Sequence, residues 1–162
     1  MMPMPEVTRI KDVTPAVIRE HFAPHGLTVV LVADAKPIPG SHWGDEEAGL
    51  IQNQLYVRAD TPVHSALHEG AHWLVMPAQR RAALHTNAGG TLAEENAVCY
   101  LQVLMSDSIP GFTRQRLFGD MDAWGYSFRL GSAQRWFEED AEDALAWLQT
   151  HQPQLVSRFH DQ

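Results

Sequence analysis

The stretch Ser65-Ala66-Leu67-His68-Glu69-Gly70-Ala71-His72-Trp73 contains the pattern H-E-x-x-H, and no other part of the chain restricts its fold as tightly. Successive residues of an α-helix are turned by about 100°, so His68 and His72 share one face a turn apart, with Glu69 roughly 60° around from His72. Two imidazoles so arranged can grip one metal ion, with Glu69 beside it as a base and not a ligand. The flanks fit a helix. Thr61-Pro62 reads as its start, Thr61 as N-cap and Pro62 at the first helical position, where a missing N–H does no harm. Met76-Pro77 reads as its stop, because the proline drives Met76 out of the α region. Val63, Ala66, Leu67, Ala71, Leu74 and Val75 supply enough apolar surface to bury the helix, and a buried helix does not carry two histidines without partners.

A zinc-type site needs a third protein ligand and an open position. Residues 91–105 read as the next helix, after the loop Asn87-Ala88-Gly89-Gly90, and offer two adjacent carboxylates. Glu94 is in phase with Ala97, Val98, Leu101 and Met105, which face the core; Glu95 is in phase with Cys99, Gln102 and Ser106, a mainly polar stripe. A carboxylate on the buried stripe wants a cation, so Glu94 is the expected third ligand and Glu95 the alternative. Thr91 and Glu94 also have capping-box spacing, which would occupy the same side chain.

The residues His68-Glu69-x-x-His72 followed by Glu94-x-x-Ala97 on a second helix resemble the gluzincin arrangement of zinc peptidases. The run Glu94-Glu95-Asn96-Ala97 is similar to minimal peptidase domains of the ImmA/IrrE type. In thermolysin-like members a carboxylate four residues after the glutamate ligand supports a histidine; that position is Val98 here, so that support is absent or comes from elsewhere. Residues 65–73, the pair Arg80-Arg81 and the preceding Leu55-Tyr56-Val57 also look like the bacterial elongation factor P hydroxylase family, whose metal site is based on H-E-x-x-H. That second resemblance implies hydroxylation of a lysine-derived side chain on a translation factor.

At 162 residues, with 44% hydrophobic and 20% charged residues, the chain reads as a single domain spanning 1–162 with a real core. A formal net charge of −8 argues against a protein whose main work is to hold nucleic acid or an anionic membrane. The single cysteine, Cys99, allows no internal disulfide and fits a reducing compartment, where it reads as a small core residue. The first residues lack the pattern of a signal peptide and no apolar run matches a bilayer, so the expected location is cytoplasmic.

Thr14-Pro15 is expected to start a helix through about Phe22, behind a short N-terminal arm. Residues 28–32 read as a buried strand ended by the two prolines of residues 34–40, and residues 41–47 as an irregular loop. Residues 50–57 read as one further strand, whose edge beside the metal could pair with an extended substrate. Residues 113–131 carry no clear pattern, and Asp120-Met121-Asp122 reads as a solvated loop. Ser132 is expected to cap a helix to about Thr150, with Trp136, Phe137, Ala141, Ala144, Leu145 and Leu148 inward, and Pro153 to start a short terminal helix. Gly70 and Ala71 read as a close-packing point for another element, with the Glu94 helix as the candidate. His64 is in phase with His68; His42, Trp43, His85 and Tyr126 are secondary candidates for the site, and Arg80-Arg81 for an acidic partner.

The expected architecture is α+β and zincin-like: a small sheet packed against the H-E-x-x-H helix and a second, Glu-bearing helix. The expected activity is zinc-dependent hydrolysis of a peptide or amide bond in a peptide or protein substrate. His68, His72 and Glu94 would hold one divalent metal and Glu69 would move the proton. The same ligand types would hold iron(II) in a non-haem oxygenase, the alternative. A third reading is a metal-stabilised domain that binds a partner without catalysis.

Overall fold

The computed structural model describes residues 6–41, 44–86, 89–126, 128 and 130–160. Its architecture is α+β, a three-stranded mixed sheet with helices around it. A single turn of helix, α1 (Ile10–Val13), leads into α2 (Pro15–Phe22), which starts at Thr14-Pro15 as expected. Strand β1 (Thr28–Val32) follows. The apolar run at 50–57 is not one strand. It folds back on itself as β2 (Gly49–Ile51) and β3 (Gln54–Arg58), antiparallel, with Leu50 opposite Leu55. The chain turns at Gln52, which takes a left-handed φ of 53°, so three consecutive polar residues, Gln52-Asn53-Gln54, mark the reversal. β3 lies in the centre of the sheet, parallel to β1 on its other side.

Helix α3 (Val63–Val75) carries the H-E-x-x-H motif and packs over β2 and β3. It starts one residue later than expected: Pro62 is the N-cap, while Thr61 Oγ1 accepts from the Arg58 N–H at 2.8 Å. Its end at Met76 agrees with the brake that Pro77 applies. Every residue of α3 is buried except His68, so the helix is set in the core and opened to solvent at one histidine of the motif. Gly70 allows this from behind, for a Cβ there would lie 2.3 Å from the ring of Phe22. The close-packing neighbour is therefore α2. The N-terminal segment locks the start of the helix, with Val63 N–H on the Thr8 carbonyl at 2.9 Å and Ile10 N–H on the Thr61 carbonyl at 2.8 Å.

The short α4 (Ala78–Ala82) follows Pro77, and α5 (Leu92–Ser106) then runs against α3. Thr91 caps α5, its Oγ1 accepting from Glu94 N–H at 3.1 Å. Residues 113–131 contain a helix that no strong periodicity announces, α6 (Arg114–Trp124), capped by Thr113 and closed by Gly125 at φ 99°. Asp120 is buried on it and accepts from Thr8 N–H at 3.0 Å, while Asp122 accepts from Ala133 N–H at 2.9 Å. These carboxylates are structural anchors and not a solvated loop. The helix expected from Ser132 to Thr150 is broken at Asp140-Ala141 into α7 (Ala133–Glu139) and α8 (Glu142–His151), and α9 (Pro153–His160) ends the described chain. α5 also packs against α6, α8 and α9, so the core is continuous from the sheet to the C-terminal helices. Among the described residues no helix is long and apolar enough to cross a membrane.

Candidate metal centre

Two helices meet at the exposed side of the motif. His68 and His72 project from α3 with ring centroids 4.9 Å apart, and α5 delivers a carboxylate between them. That carboxylate belongs to Glu95. One of its oxygens lies 2.8 Å from His68 Nε2 and the other 2.9 Å from His72 Nε2, and the three side chains bring ligand atoms within 4.8 Å of one another. Such a group could hold a metal ion.

Glu94, the expected third ligand, points elsewhere. It is buried as its phase predicts, but Arg80 supplies the cation, with Nη1 and Nη2 donating to its two oxygens at 2.7 and 3.0 Å. The premise that a buried carboxylate wants a cation was sound; the cation is a guanidinium. The capping reading is half met, because Thr91 caps the Glu94 N–H while the Glu94 side chain is taken by Arg80. Arg81 is likewise engaged within the chain, donating to the carbonyls of Trp73 and Leu74 and lying 3.9 Å over the Trp73 ring. The pair Arg80-Arg81 is thus largely internal.

Gln102 was read only as part of a polar stripe, yet it organises the centre from behind. Fully buried on α5, it donates from Nε2 to the His64 carbonyl at 2.7 Å, which leaves its Oε1 facing His68 Nδ1 at 3.0 Å. An amide oxygen only accepts, so His68 Nδ1 carries a proton and Nε2 is the atom turned to Glu95. A lone pair 2.8 Å from a carboxylate oxygen is repulsive unless a proton or a metal cation intervenes. A second proton on His68 or a cation held between the two side chains satisfies that contact. Gln102 supports His68 from α5, and its phase with Glu95 along that helix is the signal the sequence carries.

The ionisation pattern has the same cause. Burial works against a charged His68, but Tyr126, Cys99 and Glu95 outweigh it and raise its pKa well above the ordinary value. Burial acts upward on Glu95, and the hydrogen bonds from His68 and His72 overcome it, leaving the carboxyl well below the usual range. Glu69 is different. Burial raises its pKa, with His68 and His72 opposing only in part, as suits a carboxylate that takes up and releases a proton.

These groups open on a cavity of about 430 Å³ lined by Glu47, Ser65, His68, Glu69, Glu95, Trp124, Gly125 and Tyr126. Glu47 closes one side: Ser65 Oγ donates to one of its oxygens and Trp124 Nε1 to the other, at 2.7 Å. Tyr126 does line the site. Its hydroxyl is 3.1 Å from Nδ1 of His64, a buried histidine whose pKa burial lowers to about 3. His64 therefore supports the wall as a neutral ring. His85 is occupied with Thr86 at 2.8 Å and is not among the cavity residues, Cys99 is a buried free thiol, and His42 and Trp43 lie outside the described residues. Glu47 and Gln102 are the members that sequence reasoning did not single out. No protein-family model matches the chain, and no curated protein or solved structure matches it significantly.

Proposed function

We propose that this chain is a metal-dependent hydrolase of a peptide or related amide bond, with zinc as the metal and His68, His72 and Glu95 as its holders. The observation that carries the reading is the convergence of two imidazole Nε2 atoms and both oxygens of one carboxylate, with Glu69 on the same cavity wall. The likeness of the motif to gluzincins, with the third ligand moved one residue along to Glu95, supports it. Zinc bound there would lower the pKa of a water and polarise a carbonyl. The remaining steps fall to the chain's own groups. Glu69 takes the proton of the attacking water on its carboxylate and delivers it to the departing nitrogen. Gln102 keeps His68 in the tautomer that presents Nε2, and Glu47 holds the Trp124 wall against which substrate lies. A lone cysteine fits work in a reducing cytoplasm.

Elemental analysis beside the Glu69→Gln variant tests this. About one zinc per chain in both proteins, with amide hydrolysis by the wild type only, is the expected result. Zinc without hydrolysis of any peptide or amide substrate would refute it. Iron retained only without oxygen, with oxygen-dependent hydroxylation, would instead assign the same three ligands to a non-haem oxygenase.

A further inference from the structure

We infer that the ligand of this centre is a compact amide-bearing group that enters the cavity end-on, and not an extended chain paired to the sheet; the inference rests on the metal-dependent reading above. The sheet edge beside the cavity is β2, because Glu47 on the cavity wall leads directly into Ala48 and Gly49. An extended ligand would need the outward N–H and C=O groups of that edge. The chain already uses four of them. Ala48 N–H donates to Ser65 Oγ at 3.0 Å, Leu50 N–H to the Gly40 carbonyl at 3.3 Å, and Gln52 N–H to the Leu84 carbonyl at 2.8 Å. The Leu50 carbonyl accepts from Thr86 N–H at 2.8 Å.

The cover is written into the sequence at two glycines. A Cβ on Gly49 would lie 2.0 Å from the Pro39 carbonyl oxygen, and Gly40, at φ 73°, would put a Cβ 2.7 Å from the Leu50 carbonyl oxygen. Only bare backbone at both positions lets the segment lie directly on the strand. The other edge is β1, beyond the central β3 and about 10 Å from β2 at ordinary strand spacing. α3 rests on β2 and β3, so β1 is on the far side from the centre. What remains for a ligand is the cavity. At about 430 Å³ it lies towards the small end of ligand sites, which run from about 300 to 1,000 Å³. Trp124 and Tyr126 give it flat walls that suit one side chain, chain terminus or capped amino acid.

A series of hydroxamates binding to the zinc-loaded protein tests this by calorimetry. The members are the hydroxamate of one acetylated leucine, the same leucine ending three- and five-residue peptides, and a side-chain hydroxamate within a blocked pentapeptide. Edge pairing would raise affinity by about threefold to tenfold for each backbone hydrogen bond gained. The expected result is a change of less than about threefold from the single leucine to the five-residue ligand, with amide exchange at Leu50, Gln52 and Thr86 unaltered by ligand. Side-chain hydroxamate binding like the free leucine compound would identify protein side chains as the source of the compact group; binding more than about tenfold weaker would identify free small molecules. Stepwise gain with length, or new protection at those amides, overturns the inference while leaving the metal reading intact. Failure of every hydroxamate to bind overturns both.

Discussion

Replacing the neighbouring glutamates one at a time with glutamine should have opposite effects, because one faces the histidines and the other faces Arg80. In Glu94→Gln the bidentate, charge-assisted pair becomes a single bond to a neutral amide oxygen. Glu94 is 5% exposed, but the Arg80 side chain is 37% exposed and can recover water, so the loss is discounted to about 1–2 kcal/mol. For a domain of this size each kcal/mol moves Tm by about 2–4 °C, which gives a fall of about 2–8 °C. Zinc at about a hundred times its Kd adds about 2.7 kcal/mol to a protein that binds it only when folded, a rise of about 5–11 °C. Glu94→Gln should keep that rise on a lowered baseline. Glu95→Gln removes the charge of the proposed ligand; an affinity loss of about a hundredfold would cut the rise at the same zinc concentration to about 1–2 °C. Thermal unfolding with chelator and with zinc, run on the three proteins, measures both quantities. A zinc-dependent rise that vanishes in Glu94→Gln and survives in Glu95→Gln would refute the assignment of Glu95.

Gln102→Leu should weaken zinc binding by about ten- to a hundredfold, while Gln102→Glu, which keeps an acceptor for His68 Nδ1, should retain most of it; competition with a chromophoric chelator reads both. Gly49→Ala forces a methyl against the Pro39 carbonyl, a backbone atom that cannot swing away, and should cost about 1–3 kcal/mol in urea unfolding. His21, whose pKa burial lowers to about 4 with His25 and Arg158 adding to the effect, brings a pH-dependent penalty. Unfolded, it titrates near 6.5, so as pH falls the unfolded chain takes up the proton first. The penalty is absent above pH 6.5, grows through the interval and is complete below about pH 4, reaching about 3 kcal/mol. His21→Phe, which preserves ring contact with Phe22 and Phe159, should flatten the stability profile across that window, and an unchanged slope would exclude His21 as its source.

The motif helix was legible because several local signals agree there: a proline at each end, an apolar stripe and the i, i+4 histidines. The position of strand β1 and the starts of α2, α5 and α9 were legible for similar reasons, but β1 is a sheet edge with only Val29 buried, not the buried strand its apolar run suggests. The β2–β3 reversal was not, since its turn uses Gln52 in a left-handed conformation with no glycine to announce it. Helix α6 was hidden because its polar and charged residues interrupt any apolar stripe and its buried set is small, only Leu117, Phe118, Asp120 and Met121. The choice between the two glutamates failed for a reason that periodicity cannot reveal. Phase along α5 correctly predicted that Glu94 is buried, but the identity of its partner depends on how α4 returns after Pro77 and brings Arg80 against it. Gln102 could have been found by asking which polar residue follows Glu95 two turns along the same helix.

The hydrogen bond from Thr8 to Asp120 joins positions 112 residues apart, and its neighbour from Val63 to Thr8 ties the same short segment to the start of the motif helix. A ribosome releases Thr8 first and Asp120 only after most of the chain is out, so this clasp cannot close early in synthesis. Contacts of such span carry a high loop-closure cost and slow the folding of a domain. α3 and α5, by contrast, emerge as neighbours, and the zinc proposed to join them would staple that hairpin of helices before the N-terminus has its final partner. Metal supply would then govern how fast the protein matures as well as how it works.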